Sequence, residues 1–73
     1  MLCDVIRIPL RKYIAVIIKT RGSKESVDVI REVAHQNEEL DMDSLGVLLC
    51  KLPTVKRVEI TDWSRNGIII ERE

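Results

Sequence analysis

The chain predicts an α+β domain: a four-stranded, mainly antiparallel sheet in the order β-β-α-α-β-β, with two short helices on one face. Three patterns carry that expectation. Residues 4–10 and 13–20 are rich in Ile and Val and read as strands. Val27, Ile30, Val33 and Ala34 fall at the three-and-four spacing of an amphipathic helix. From Val55 to Glu71, two apolar runs flank Arg65-Asn66-Gly67, the composition of a β-hairpin.

In the first segment Ile6, Ile8 and Leu10 alternate with Val5, Arg7 and Pro9, which suits a half-buried strand. Pro9 has no N–H to give a ladder, so this strand belongs at a sheet edge or ends there. Arg11-Lys12 forms the tip. Tyr13 to Ile18 is apolar on both faces and belongs in the middle of the sheet.

Arg21-Gly22-Ser23 interrupts the strands, and Ser23 is the expected N-cap of a helix over 24–37, with Glu25 in its first turn. Asn37 is a common stop residue. Residues 38–43 are an acidic connector, from which Asp43 is expected to cap a second helix over 44–52. Leu45, Leu48, Leu49 and Leu52 form its stripe, and Pro53 ends it. Gly46 costs that helix about 1 kcal/mol relative to Ala, which leaves a strand over 47–50 as the alternative.

The last two strands are expected at 55–63 and 68–72. If Asn66-Gly67 were a two-residue loop, Arg65 would face Ile68 and Trp63 would face Ile70. If Arg65-Asn66-Gly67 is a three-residue loop with Gly67 left-handed, Ser64 faces Ile68. Val58, Ile60, Ile68 and Ile70 then share one face, with Glu59, Thr61, Trp63, Ile69 and Glu71 on the other. Only this second register pools the β-branched aliphatics, so it is the favoured one.

With 73 residues, the chain is a single domain over 1–73. A domain of this size buries only about 60% of its unfolded surface. One Trp, one Tyr and no Phe argue against a roomy, ring-lined pocket. Lys plus Arg equals Asp plus Glu at 12 each, so phosphate attraction over the whole molecule is absent and copies do not repel one another. Two cysteines, Cys3 and Cys50, make no disulfide framework. The longest uninterrupted apolar run, Ile14 to Ile18, is far too short to span a membrane. With no secretory signal at its start, the chain reads as cytoplasmic, its thiols reduced.

Several short patterns point to a chemistry and then fall short of it. Asp43-Ser44-Leu45 looks like the Asp-Ser-Leu of acyl carrier proteins, where the serine takes phosphopantetheine at a helix N-terminus. That family is a helical bundle, however, whereas this chain opens with strands, so the tripeptide reads as a helix start. Asp41, Asp43 and Gly46 fit positions one, three and six of a calcium loop. Positions five and twelve are Leu45 and Leu52, where oxygen ligands are required. Cys3, His35 and Cys50 lack the paired spacing of a zinc site, and His35 falls on the solvated side of its helix. With three glycines, widely separated, there is no phosphate loop. Leu52-Pro53-Thr54-Val55 resembles the helix-to-strand corner of small ferredoxin-like regulatory domains, a likeness under ten residues long that implies no function.

The expectation is therefore of a non-enzymatic protein-interaction or regulatory module without cofactor or metal, working with itself as a homodimer or with another protein. Its interaction face is expected to carry Thr61, Trp63 and Ile69. The alternative is a nucleic-acid-binding protein using Arg7, Arg11, Lys12, Lys19 and Arg21 of the basic N-terminal hairpin.

Overall fold

The computed structural model describes residues 3–22 and 24–72, Cys3 by its backbone alone. Strands β1 (Cys3–Arg7) and β2 (Tyr13–Arg21) form the first hairpin. Helices α1 (Lys24–Gln36) and α2 (Met42–Cys50) follow, and β3 (Val55–Asp62) and β4 (Gly67–Glu71) form the second hairpin. The four strands make one antiparallel sheet in the order β1-β2-β3-β4. The expected α+β order is thus the observed one. The expected N-cap Ser23 lies outside the described residues.

The two hairpins meet along β2 and β3, the two central strands. Val16 stands opposite Ile60 and Ile18 opposite Val58, and all four are fully buried on the face that the helices cover. Ile30 and Ala34 of α1 and Leu45 and Leu49 of α2 complete this core from above. At the far end of the sheet, the Thr20 hydroxyl donates to the Thr54 carbonyl (3.0 Å) and the Arg21 N–H donates to the same oxygen (2.7 Å). These bonds satisfy a buried hydroxyl where β2 leaves the sheet and β3 enters it. The thinnest dimension of the molecule, 17 Å, holds one sheet and one helical layer.

Two local expectations are corrected. Asp41, not Asp43, caps α2: its carboxylate accepts from the Ser44 N–H at 3.1 Å, so the helix begins at Met42 and ends at Cys50. Residues 47–50 are helical, as the leucine stripe predicts. Gly46, which costs the helix its propensity, is buried where α2 crosses β4, and a Cβ there would lie 2.6 Å from Ile70 Cδ1. The glycine lets the helix come down onto the sheet.

The second correction is the loop of the second hairpin. Its register pairs Thr61 with Gly67, Ile60 with Ile68 and Val58 with Ile70, so the chain turns through Trp63-Ser64-Arg65. Arg65 N–H donates to the Asp62 carbonyl at 3.0 Å, and Arg65 itself is left-handed at φ 67°. The Asp62 carboxylate accepts from the N–H of both Ser64 and Asn66, each at 2.9 Å. An aspartate at the start of the loop thereby overrides the Asn-Gly signal, and Gly67 begins β4 without a positive φ. Each strand slips by two residues, an even number, so the face assignment survives. Val58 and Ile60 are buried and Ile68 and Ile70 half-buried on the helix side, while Ile69 is exposed on the other.

Candidate interaction surface

Among the described residues, one face of the sheet has no covering layer. Strand alternation places Val5 and Arg7 of β1, Ala15, Ile17 and Lys19 of β2, Arg57, Glu59 and Thr61 of β3, and Ile69 and Glu71 of β4 on it. Arg7, Ile17, Glu59 and Ile69 make one row across the four strands; Val5, Lys19, Arg57 and Glu71 make the next. Val5 is 66% and Ile69 60% exposed, and Ile17 and Ala15 between them are half-buried.

Charges on this face are graded. Lys19 stands directly opposite Arg57, a like-charge pair, with Arg7 and Arg21 on the same side. Arg57 is drawn the other way: its Nε lies 3.5 Å from Glu59 and its Nη1 3.8 Å from Glu71. The β1–β2 half is therefore basic and the β3–β4 half is closer to neutral.

Of the residues expected to form the interaction face, Thr61 and Ile69 lie together on the uncovered side. Trp63 does not join them. It leaves β3 and leans against the tip of the first hairpin, where its indole Nε1–H donates to the Arg11 carbonyl at 2.8 Å. The ring stays 67% exposed. Among the expected nucleic-acid contacts, Arg7, Lys19 and Arg21 share the uncovered face. Arg11 and Lys12 stand apart at the hairpin tip, where the Lys12 ammonium donates to the Glu39 carbonyl at 3.0 Å.

Trp63 borders a cleft of about 340 Å³ between the two hairpin tips and the start of α2, also lined by Lys12, Tyr13, Asp41, Met42, Asp62 and Ser64. The Tyr13 hydroxyl donates to the Leu40 carbonyl. Burial, reinforced by the nearby Asp41 and Asp62 carboxylates, raises the Tyr13 phenol above its ordinary pKa. The Ser44 hydroxyl and N–H hold the Asp41 carboxyl below its ordinary value. Both carboxylates here are already committed, Asp41 to a helix cap and Asp62 to a turn, and among the described residues no His or Cys lines the cleft. A wider depression of about 520 Å³ lies over the outer side of α2, between Leu40, Ser44, Val47 and Leu48.

His35 is exposed on α1, its Nδ1 3.9 Å from the Glu38 carboxylate. Cys50 is half-buried, its Sγ 3.7 Å from the Ile70 carbonyl. Among the described residues no three of His, Cys, Asp and Glu come together as a metal site, and no helix is long and apolar enough to cross a membrane.

No protein-family model matches this chain, and neither a curated protein nor a solved structure proves similar to it.

Two surface features were invisible to strand alternation alone. Trp63 was removed from the face by the Asp62 turn, for which the Asp-x-Ser spacing is the only sequence signal. Arg57 joined the basic residues of β2 through the cross-strand register, which no local pattern encodes.

Proposed function

We propose that this chain is a small non-enzymatic interaction or regulatory module that docks another protein, or a second copy of itself, on the helix-free side of its sheet. The single observation behind this reading is the uncovered face, where Val5, Ile17 and Ile69 sit in a molecule with one helical layer. Isolated exposed hydrophobes need no explanation, but these three lie in adjacent rows spanning the full width of the sheet. A cytoplasmic setting accords with two cysteines that form no disulfide framework.

The test is NMR of the native protein, diluted stepwise and then titrated with a candidate partner. Shifts confined to Ala15, Ile17, Thr61 and Ile69 and their edge neighbours are expected, and Ile17→Asp should remove them without loss of fold. Shifts centred on α1 or on the outer side of α2 would defeat the reading.

A second reading draws on the Lys19–Arg57 pair, flanked by Arg7 and Arg21: like charges held side by side are relieved by an anion, such as a nucleic-acid backbone. Neither aromatic residue lies on that face, so base stacking has no platform there. Binding to single- or double-stranded probes at low salt, abolished by Lys19→Glu with Arg21→Glu, would support it. No binding at low salt ends it.

A further inference from the structure

From the free edge of β4 we infer that two copies of this chain pair antiparallel through β4, giving one continuous sheet with a two-fold axis at Ile69. The inference rests on the interaction-module reading and names its partner.

The hydrogen-bond pattern determines which groups are free. Asp62 N–H donates to the Asn66 carbonyl (2.9 Å) and Arg72 N–H to the Lys56 carbonyl (2.8 Å). In an antiparallel ladder the bonded residues alternate, so 66, 68, 70 and 72 turn their amides toward β3. Gly67, Ile69 and Glu71 turn theirs outward. No strand among the described residues pairs with that edge.

The strand reads Gly-Ile-Ile-Ile-Glu, with no proline, no bulge and no charge before Glu71. Such an edge is a template for another strand. A second copy satisfies it symmetrically: with Ile69 facing Ile69 of the other copy, Gly67 faces Glu71, and every outward amide and carbonyl of the strand finds a partner. A slip by one position leaves some of these groups unpaired, and a slip that centres the axis on Glu71 sets two carboxylates against each other.

The side chains agree with this register. On the uncovered face the exposed Ile69 gains its counterpart across the axis, and Glu71 meets the bare Cα of Gly67. On the helix side the half-buried Ile68 and Ile70 face Ile70 and Ile68 of the second copy, extending the core. Zero net charge lets the copies approach without repulsion. Five residues of strand make a small contact, so the dimer is reversible and depends on concentration.

Sedimentation equilibrium over a range of concentrations tests this. The native chain should dimerise, and Ile69→Pro, which deletes an outward N–H while sparing the bonds to β3, should weaken dimerisation at least about tenfold. Ile69→Lys guards against misfolding of the proline variant. It should act in the same direction by setting two ammonium groups together across the axis. In a Cys3→Ser/Cys50→Ser background, Ile69→Cys should oxidise to a disulfide-linked dimer, because Cα atoms of such a bonded pair lie about 5.5 Å apart. Val5→Cys, in the opposite edge strand, should not. A dimer that survives Ile69→Pro and Ile69→Lys but is lost on Ile17→Asp would overturn the edge geometry and leave the docking reading standing. A chain that is monomeric at every concentration would overturn the inference, while the partner titration still decides the module reading.

Discussion

The two edges of the sheet are the same length and differently finished. Both β1 and β4 are five residues long, and each has one row of backbone groups that no strand among the described residues pairs. β1 carries Asp4 and Arg7 and runs into Pro9; since Ile8 turns its N–H inward to the Val16 carbonyl at 2.9 Å, the N–H that Pro9 lacks is one that would have pointed to the open side. β4 carries three isoleucines in succession and reaches its first charge only at its last residue. Charges and proline are the usual means by which a sheet edge refuses a neighbour. One edge is closed to addition by composition, and the other is left open.

The sharpest way to break this comparison is to ask how firmly each part of the β4 hairpin is held. Ile60→Ala should cost about 2–5 kcal/mol in urea unfolding, since Ile60 is fully buried where β3 joins β2 to β4. Ile68→Ala, opposite it and only half-buried, should cost distinctly less. Equal losses at both would mean that β4 is as deeply anchored as the central strands, leaving nothing loose at that edge.

Gly46→Val comes next, at about 1–3 kcal/mol, because its branched side chain must displace Ile70 from beneath α2. Amide hydrogen exchange should speed up at Ile68 and Ile70 and stay unchanged at Asp4 and Ile6. Uniform acceleration in both edge strands would show that α2 does not support β4 selectively.

Asp62→Ala removes the acceptor for the Ser64 and Asn66 N–H groups and should cost about 1–2 kcal/mol. It also frees the hairpin to slip toward the turn that Asn66-Gly67 would adopt alone. NMR contacts between Ile60 and Ile68 should weaken, with β1–β2 contacts unaffected. Persistence of the native pairing would assign the register to core packing instead.

A gentler probe is alkaline pH. The Tyr13 phenol is raised in the folded chain, first by burial and then by Asp41 and Asp62, so the folded state holds that proton more tightly than the unfolded state does. Its contribution is fully present below the unfolded value of about 10 and declines as pH rises through the folded value. Tyr13→Phe should flatten this decline in a pH series of thermal melts. An unchanged slope would locate the alkaline sensitivity elsewhere.

Most of the architecture was legible because it rests on periodicity. Alternation placed β1, a run apolar on both faces placed β2, apolar runs flanking turn residues placed β3 and β4, and Val27, Ile30, Val33 and Ala34 placed α1. The misreadings occurred where a side chain outbids a backbone preference. Asn66-Gly67 is a good turn, yet the Asp62 carboxylate two residues upstream of Ser64 captures the chain first. Asp43 is a good cap, yet Asp41 stands three residues before the Ser44 N–H it holds. Gly46 is a weak point when α2 is considered alone and becomes intelligible only with Ile70 beneath it. The uncovered face was half legible: Thr61 and Ile69 follow from strand parity, whereas the position of Trp63 depends on a loop whose length parity does not determine.

The indole bond to Arg11 has an optical consequence. Each hairpin is local in sequence, whereas this bond joins the tips of both, across 52 positions of chain. Trp63 is the only tryptophan, so the change in its emission on making this bond reports the latching of one hairpin to the other. In a stopped-flow refolding experiment, the emission change should trail the far-ultraviolet dichroism of the strands, separating in time the closing of the sheet from the making of its halves.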